Sequence, residues 1–425
     1  MTEPREKKSG PDPAPPALRP ALLLVAAGLT APALLVLLIR PLDAGWYLAA
    51  VAGLDALAGA ALAPGGRPRL SRVAVGLAAA VLVSALLELA LPPAFALFPA
   101  PGYPKQEWLD PYPYGLDPEL GWAPRPGASI RHAAYTAPGK REWSVVYHIG
   151  ADGLRVTPAS GGAKLALFFG DSFTFGHGLD DADTIPSRFE ESEPDFRAVN
   201  YGVNDYGTAA CLIRLYKTVE PRADLVFYNF IPQHVHRNLN QEIPTLPQPD
   251  PPLFRLAIDP ARPPMEWELV LRPRAPFNPE DLHHRLLDRS FFYRRLVLAS
   301  FRLQDLHLNA TLPPGAGDNY GQLLTARLVR EMTIATRTKF GEGCRFIMVL
   351  LPMKDDYDQQ AADGVVRLLS GIEVVDLKSR FDRHLQQTGE SVDAYFDVAS
   401  KHPNPRLARL LAAWLAEAIG GPAAP

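Results

Sequence analysis

Leu165-Ala-Leu-Phe-Phe-Gly-Asp-Ser-Phe-Thr-Phe-Gly176 is the stretch around which the rest of the sequence is organised. Its first five residues are all apolar, a pattern typical of a strand buried on both faces of a parallel sheet. The run ends at Gly170-Asp171-Ser172, a turn triplet at the point where such a strand leaves the sheet. Ligands of open α/β sheets bind outside the carboxyl ends of the strands. We therefore predict that Ser172 lies at a functional site and is a candidate nucleophile.

Strand and helix patterns alternate from residue 164 onward. The predicted strands are Leu165–Phe169, Arg197–Asn200, Leu225–Phe230, Arg345–Leu351 and Glu373–Leu377. The predicted helices cover about 182–193, 206–219, 321–338, 358–369 and 405–419. Strands that alternate with helices join through right-handed crossovers into a parallel sheet. The sequence therefore predicts an α/β domain over 164–425, a flavodoxin-like three-layer sandwich with a parallel sheet.

One interval, 239–319, interrupts this alternation. It contains a proline-rich run from Pro244 to Pro252, a predicted hairpin of Phe254–Ile258 with Trp267–Leu271, and an aromatic and basic helix near Phe291–Leu303. The insertion follows the third strand and is therefore expected to overhang the carboxyl edge of the sheet. The insertion could be a lid that shapes a substrate site or a docking surface for another protein, and the sequence does not separate these two roles.

The composition of the whole chain excludes two classes of function. The 425 residues carry a formal net charge of -3, which argues against a nucleic-acid partner, since that needs a strongly basic face. Cys211 and Cys344 are the only cysteines in the sequence, so a metal site built on thiolates is excluded. The two could form one disulfide, but their positions in a helix pattern and just before a strand favour two buried free thiols.

The amino-terminal part of the chain carries the pattern of a membrane anchor. Residues 1–20 are polar and rich in proline, which predicts a disordered tail. Three apolar stretches follow, Leu22–Ile39, Trp46–Ala63 and Val73–Leu91, each close to the ~20 residues that cross a hydrocarbon core. We interpret 21–98 as an anchor of about three transmembrane helices. A cleaved signal peptide followed by buried core helices is the alternative.

The basic residues that flank these stretches predict their orientation. Arginine or lysine precedes the first stretch and lies between the second and third, whereas the loop between the first and second has Arg40 offset by Asp43. Because positive flanks stay in the cytoplasm, we expect a cytoplasmic amino terminus and place the chain after Leu91 on the opposite side. In a bacterium this is a multi-pass protein of the inner membrane with its α/β domain in the periplasm.

Residues 99–163 are predicted to form a connector and a small β element. The alternating segment Glu142–His148 and the Asp152-Gly153 turn favour a hairpin over a helix. A passive spacer and a segment that contacts substrate are equally open interpretations of this region.

A serine hydroxyl attacks efficiently only when a base takes its proton and a third group orients that base. The candidate base is His402, in Ser400-Lys-His-Pro-Asn404 directly before the last predicted helix. The same residues are also typical of a helix start with Asn404 as the cap. With Ser172 upstream, we favour the catalytic role.

These segments resemble the SGNH (GDSL) hydrolase family in its membrane-anchored bacterial form. The family's nucleophile lies in a Gly-Asp-Ser motif after the first strand, like Ser172, and not in the Gly-x-Ser-x-Gly turn of α/β-hydrolases, which would need glycine at Thr174. Its last block holds an acid and a histidine in one loop, which implies Asp397 and His402. The family places the acid two or three residues before the histidine, whereas here it is five before. The loop must therefore bulge, or Asp393 or a main-chain carbonyl must orient the ring.

The resemblance also implies donors for a developing oxyanion. The main-chain N–H of Ser172 is one, and Gly202, in the second block Val199–Gly207, supplies another. The family's third block, Gly-x-Asn-Asp, is not matched, because Gln233 and His234 stand roughly where its Asn and Asp would be. Each of these could donate a hydrogen bond, and a structural role is equally open for His234.

Three further residues complete the expected site. Asp171 is expected to brace the turn beside the nucleophile, at the edge of the substrate site. Arg237 and Asn238 follow the third block by about one turn and could bind a substrate anion or brace the insertion. No metal or cofactor is implied, because the pair His234-x-His236 has no third ligand at matching spacing.

The resemblance implies a serine esterase that hydrolyses an O-acyl ester by a Ser-His-Asp mechanism. The predicted anchor places it beside an acylated small molecule or glycan of the cell envelope. An O-acyltransferase acting on a polysaccharide would use the same residues. A non-catalytic envelope scaffold would explain the unmatched third block.

Overall fold

The computed structural model describes residues 104–108, 113–158, 161–239, 252–271, 317, 319–355 and 359–420. The predicted tail, the three predicted membrane spans and the predicted helix near 291–303 lie outside these ranges. Within them, no helix combines the length and the apolar character that crossing a membrane requires.

The secondary structure follows the chain in this order. The strands are β1 (Lys105–Trp108), β2 (Tyr114–Asp117), β3 (Gly121–Pro124), β4 (Ser129–Ala137), β5 (Lys140–His148), β6 (Lys164–Phe169), β7 (Phe196–Asn200), β8 (Leu225–Phe230), β9 (Phe254–Ala257), β10 (Glu268–Leu271), β11 (Arg345–Leu350) and β12 (Glu373–Asp376). The helices are α1 (Ser172–Phe175), α2 (Ile185–Ser192), α3 (Thr208–Lys217), α4 (Gln233–Leu239), α5 (Tyr320–Phe340), α6 (Gln359–Leu368), α7 (Leu377–Thr388) and α8 (Pro405–Gly420). The five strands predicted after residue 164 are all present, with ends within one residue of those predicted.

A five-stranded parallel sheet organises this part of the chain, in the order β12-β11-β8-β6-β7. β6 pairs on both sides, so that Leu167 is level with Val199 of β7 and with Val226 of β8. β7 lies outside β6 while the later strands extend the sheet in the other direction, which is the order of flavodoxin-like folds. The predicted α/β class with a parallel sheet is confirmed.

Helices cover both faces of this sheet. Leu165, Leu167 and Phe169 pack with α3, α5 and α6 on one face. Ala166 and Phe168 pack with α2, α7 and α8 on the other face. Because both sides of β6 are covered, its sequence is a continuous apolar run and not an alternation. The arrangement is a three-layer sandwich.

The predicted helix ranges correspond to α2, α3, α5, α6 and α8, whereas α1, α4 and α7 lie outside them. α7 follows β12 without a loop, and Asp376 caps it by accepting the Ser379 N–H at 2.8 Å. Its buried residues are Leu377 and Phe381, one i, i+4 pair. A single pair is too few apolar positions to establish a helical period.

An antiparallel sheet in the order β1-β4-β5 precedes the α/β domain. The predicted hairpin is present, but its partner strand was wrong: β5 pairs with β4 upstream, through a turn at Gly139, whose φ is 70°. The Asp152-Gly153 turn leads into an isolated bridge and not into a strand pair. The upstream strand was missed because Ala133 and Ala134 are both buried, next to a register shift, which breaks the alternation.

Two smaller predictions are confirmed. β9 and β10 form the predicted antiparallel hairpin of the insertion, with Phe254 level with Leu271. Cys211 and Cys344 are both buried free thiols. The second outcome agrees with the positions of the two cysteines in a helix pattern and just before a strand.

Candidate active site

Ser172 lies at the carboxyl edge of the sheet, directly after β6. The chain leaves the strand through Gly170, where a Cβ atom would clash with Thr174 Oγ1. Asp171 then caps α1 by accepting the Phe173 N–H at 3.0 Å, and Ser172 is the first residue of that helix. The absence of a side chain at Gly170 therefore allows the tight strand-to-helix turn that sets the position of Ser172.

The structure brings His402 to Ser172 across 230 positions of sequence, with His402 Nε2 2.7 Å from Ser172 Oγ. The His177 ring stacks on the imidazole at a centroid distance of 4.4 Å, and the Phe173 ring lies 5.1 Å away. His402 Nδ1 lies 2.9 Å from the Ser400 carbonyl oxygen, which can only accept. With the proton thus on Nδ1, Nε2 is free to accept the proton of the serine hydroxyl.

Asp397, the expected acid, acts on the ring indirectly. Its Oδ1 accepts the Ser400 N–H at 2.6 Å, and its Oδ2 accepts from the Ser400 hydroxyl at 2.6 Å. The Asp397 N–H donates to the His402 carbonyl at 3.0 Å and closes the loop. The main-chain carbonyl of Ser400 is thus the partner of the imidazole, while Asp393 pairs with Lys354. A carboxylate five residues before the histidine closes the turn and does not reach the ring.

Burial is the largest influence on the pKa values in this loop. It lowers the pKa of His402 below the usual 6.5, although Asp171, Asp397 and the hydrogen bond to Ser400 act to raise it. Burial also raises the pKa of Asp397, against the hydrogen bonds that Ser400 donates to it. A neutral imidazole at neutral pH is the form that a general base requires.

Asp171 is buried beside Ser172 and faces two basic side chains. Its Oδ2 accepts from Arg237 Nη1 at 2.7 Å and lies 3.4 Å from His234 Nε2. Burial raises the pKa of Asp171, but His234 and Arg237 outweigh burial and hold it well below its usual range. His234 Nδ1 lies 2.8 Å from the Tyr228 hydroxyl. Asp171 therefore braces the turn, and His234 supports that brace instead of facing an oxyanion at Ser172.

Gly202 has a different role from the expected one. Its N–H donates to Asn200 Oδ1 at 2.9 Å, so this donor is used within the loop after β7. A Cβ atom at position 202 would overlap Phe175 N, because the loop packs directly on α1. Of the expected oxyanion donors, the Ser172 N–H and the Gln233 amide are the two that lie in residues lining the cleft.

That cleft has a volume of about 390 Å³ and contains the side chains of Ser172 and His402. Its other lining residues come from several loops at this edge of the sheet: Phe173, His177, Asn204, Asp205, Gln233, Arg237, Met353, Lys354, Asp355, Ser400 and Lys401. Asn238, predicted to bind substrate, is 1% exposed and uses its amide on Ala209, Thr208 and Thr325. Asn238 therefore ties α4 to α3 and α5, because its place on α4 points it into the helix layer.

Two cleft residues, His177 and Asn204, were not found by sequence reasoning. Asn204 Nδ2 lies 3.0 Å from His177 Nδ1, and Gln106 Oε1 lies 2.6 Å from His177 Nε2. Since an amide oxygen accepts, His177 carries its proton on Nε2 and accepts from Asn204 through Nδ1. Both residues stand close in sequence to motif residues, His177 after α1 and Asn204 after Gly202, and this proximity was the one available signal.

No protein-family model and no curated protein matches the chain. Among solved structures, it is similar to a member of the lipolytic G-D-S-L family from Veillonella parvula, at 13% identity and a TM-score of 0.34, over 61% of this chain and 99% of that one. It is similar to a catalytic mutant of an acetylxylan esterase from Geobacillus stearothermophilus, at 13% identity and a TM-score of 0.33, over 62% and 98% of the two chains. A possible lipase from Chitinophaga pinensis shows 12% identity and a TM-score of 0.33, over 60% and 97%.

Proposed function

We propose that this chain is a serine esterase of the SGNH type, with Ser172 as the nucleophile and His402 as the general base. The observation that carries the proposal is the 2.7 Å contact between Ser172 Oγ and His402 Nε2 inside a cleft. The serine is set by the tight turn after β6, and the imidazole by the Ser400 carbonyl and the His177 ring. A hydroxyl and a neutral, oriented imidazole at this distance are the arrangement that activates a serine.

In the first half of the reaction, Ser172 Oγ attacks the ester carbonyl carbon while its proton passes to His402 Nε2. The imidazolium that forms donates through Nδ1 to the Ser400 carbonyl. The carboxylates of Asp171, Asp397 and Asp205 also favour its positive charge. His402 then gives the proton to the leaving alcohol, and the acyl group remains on Ser172.

The tetrahedral intermediate needs hydrogen-bond donors for its oxyanion, each typically worth ~3 kcal/mol. The Ser172 N–H belongs to the first turn of α1, where N–H groups have no acceptor within the helix. Gln233 Oε1 accepts from Arg237 Nη2 at 3.3 Å, so the amide nitrogen is the group that Gln233 offers to a ligand.

In the second half of the reaction, water loses a proton to His402 and attacks the acyl carbon. The acid is released when the bond to Ser172 Oγ breaks, and His402 returns the proton to that oxygen.

The charged lining of the cleft supports a polar ester. Arg237, Lys354 and Lys401 line it together with Asp205 and Asp355, so charged side chains of both signs face the cleft. This surface suits a hydroxyl-rich alcohol better than a long hydrocarbon chain. We therefore propose an O-acyl group, such as acetyl, on an envelope or exported glycan as the substrate. We also propose that residues 21–98 anchor the protein in a membrane and that its catalytic domain lies outside the cytoplasm.

The pH dependence of kcat/KM is a prediction of this mechanism. His402 must be neutral to take the serine proton, and burial lowers its pKa below 6.5. Activity is then lost as the pH falls through this lowered value, so the acidic limb of the kcat/KM profile is expected below pH 6.5. A profile measured on the full chain with its acidic limb above pH 6.5 would contradict this environment for His402.

Covalent labelling tests the proposed function directly. The full chain, purified in detergent, is treated with a fluorophosphonate, and the adduct is located by peptide mass spectrometry. We expect the adduct on Ser172, because an adjacent base makes its hydroxyl nucleophilic. Ser400 is an internal control, since it lines the same cleft but its hydroxyl donates to Asp397. An unlabelled chain would favour the scaffold interpretation, whereas an adduct on Ser400 would contradict Ser172 as the nucleophile.

Turnover of p-nitrophenyl acetate by the same preparation, with and without a glycan acceptor, separates hydrolysis from transfer. The proposed esterase releases nitrophenol and free acetate without the acceptor. Release that requires the acceptor, with acetate recovered on the glycan, would assign acyl transfer to the same residues.

A further inference from the structure

We infer that the sheet formed by β1, β4 and β5 is part of the catalytic unit, with Glu142 on β5 as a positioning residue for His402. This inference rests on the proposed function, because it concerns the base of that reaction. It departs from the sequence-based alternatives for this region, a passive spacer or a segment that contacts substrate.

Glu142 holds the loop that carries His402. Its Oε1 accepts the Val398 N–H at 2.6 Å, and its Oε2 accepts the Ala399 N–H at 2.9 Å. Hydrogen bonds to a carboxylate are roughly twice as strong as those between neutral groups. Two consecutive main-chain N–H groups on one carboxylate fix both the position and the direction of the backbone there.

Asp397 holds the next part of the same loop. Its carboxylate accepts the Ser400 N–H at 2.6 Å, and the Ser400 carbonyl accepts from His402 Nδ1 at 2.9 Å. The N–H groups of three successive residues, 398 to 400, are therefore divided between two carboxylates. The carbonyl that orients the base depends on both of them, whereas in a conventional triad a carboxylate contacts the ring itself.

Gln106 of β1 makes a second link between this sheet and the base. Its Oε1 lies 2.6 Å from His177 Nε2, and its Nε2 lies 3.5 Å from the Ala399 carbonyl, at the outer limit of a hydrogen bond. The His177 ring in turn stacks on His402. The sheet thus supports the base through its loop and through its stacking partner.

Substitution of Glu142 in the full chain tests the inference. Glu142→Ala is expected to lower kcat for p-nitrophenyl acetate by about 10²-fold, because a displaced base loses its alignment with Ser172. KM is expected to stay within about twofold, since Glu142 does not line the cleft. Glu142→Gln has nearly the same shape but one acceptor oxygen, so it should lose less. Glu107→Gln, on the same sheet with its carboxylate paired to Lys105, is the matched control and should keep the kcat of the unmodified chain.

The acidic limb of the kcat/KM profile distinguishes positioning from a loss of folded protein. The hydrogen bond to the Ser400 carbonyl raises the pKa of His402. When the loop is released in Glu142→Ala, this support is weakened, and the limb should move to lower pH. The carboxylates of Asp171, Asp205 and Asp397 also face His402 and stay in the variant, as do the imidazoles of His132 and His177.

Each outcome has a definite meaning. An unchanged kcat in Glu142→Ala, or a lower kcat with an unmoved acidic limb, overturns the positioning role. Ser172→Ala is measured in parallel to test the chemistry itself. If Ser172→Ala keeps its turnover, the proposed esterase is wrong. If Ser172→Ala is inactive while Glu142→Ala is fully active, the role of Glu142 alone is wrong.

Discussion

Ser172→Ala and His402→Ala are each expected to lower kcat for p-nitrophenyl acetate by about 10⁴- to 10⁶-fold. The first substitution removes the attacking oxygen, and the second removes the base that lies 2.7 Å from it. Because the two groups act as one unit, the double variant should lose little more than either single variant. The kcat of each of the three variants is measured on the full chain at saturating ester concentration.

Ser192→Ala is the matched control for these variants, since Ser192 is exposed on α2 and its hydroxyl donates to the Arg188 carbonyl. It should leave kcat unchanged. Losses in Ser172→Ala and His402→Ala that multiply in the double variant would indicate two independent contributions. Such a result would contradict a nucleophile and base that share one proton.

Arg237→Met is expected to lower the free energy of unfolding by about 3–5 kcal/mol, the cost of leaving a buried charge without its partner. Asp171 has 1% of its side chain exposed and accepts from Arg237 Nη1 at 2.7 Å. Methionine keeps most of the apolar stem, so the change reports mainly on the lost charge. We expect a value near the lower end, because 23% of the Arg237 side chain is exposed and His234 still faces Asp171. Chemical unfolding of the full chain, followed by tryptophan fluorescence, measures it.

The decrease in the free energy of unfolding caused by Arg237→Met should itself depend on pH, and it should be smaller at acidic pH. With Arg237 present, the pKa of Asp171 is held below its usual 3.8, so its contribution to stability is present above that value and is lost as the pH falls through the lower, folded-state pKa. Without Arg237, burial acts on Asp171 with less opposition, and the carboxyl takes up a proton more readily. The difference between the two proteins should therefore be largest at neutral pH and shrink as the pH falls from the Asp171 pKa of the variant towards the lower one of the unmodified chain.

Arg197→Met provides the matched control for stability. Arg197 lies 3.4 Å from Glu220 and 44% of its side chain is exposed, so its loss should cost at most about 1 kcal/mol. Equal destabilisation by the two substitutions would show that the Asp171 pair behaves as a surface pair. It would then not be the brace of the turn that carries Ser172.

Local sequence patterns were sufficient to predict the strands and helices that have an unbroken apolar run or a clear start motif. The strand at Leu165–Phe169 is apolar throughout because both of its faces are covered, and α8 begins where His402-Pro-Asn404 predicted a helix start. α7 was missed because it buries so few residues, and β5 was paired with the wrong neighbour because strand pairing depends on residues far along the chain.

At the site, the residue types were predictable where a motif specifies them, and the hydrogen bonds were not. Asp397 and Gly202 were correctly placed in the loops that meet at Ser172, but each uses its polar group within its own loop. Asn238 was assigned to the substrate from its spacing after Gln233, whereas its place on α4 commits its amide to neighbouring helices. Which acceptor a donor finds is decided by atoms from other elements.

The sequence by itself determined the α/β class, the five strands of the parallel sheet, five of the helices that follow them, and the identity of Ser172 and His402 as the candidate pair. Periodicity and a short motif are local properties, so they can be recognised in the sequence without knowledge of the fold. Only the tertiary structure decided that a main-chain carbonyl orients His402, and that Glu142 and Gln106 reach its loop from a separate sheet. The contacts of Glu142 and Gln106 with this loop join residues more than 250 positions apart, so no local pattern can encode them.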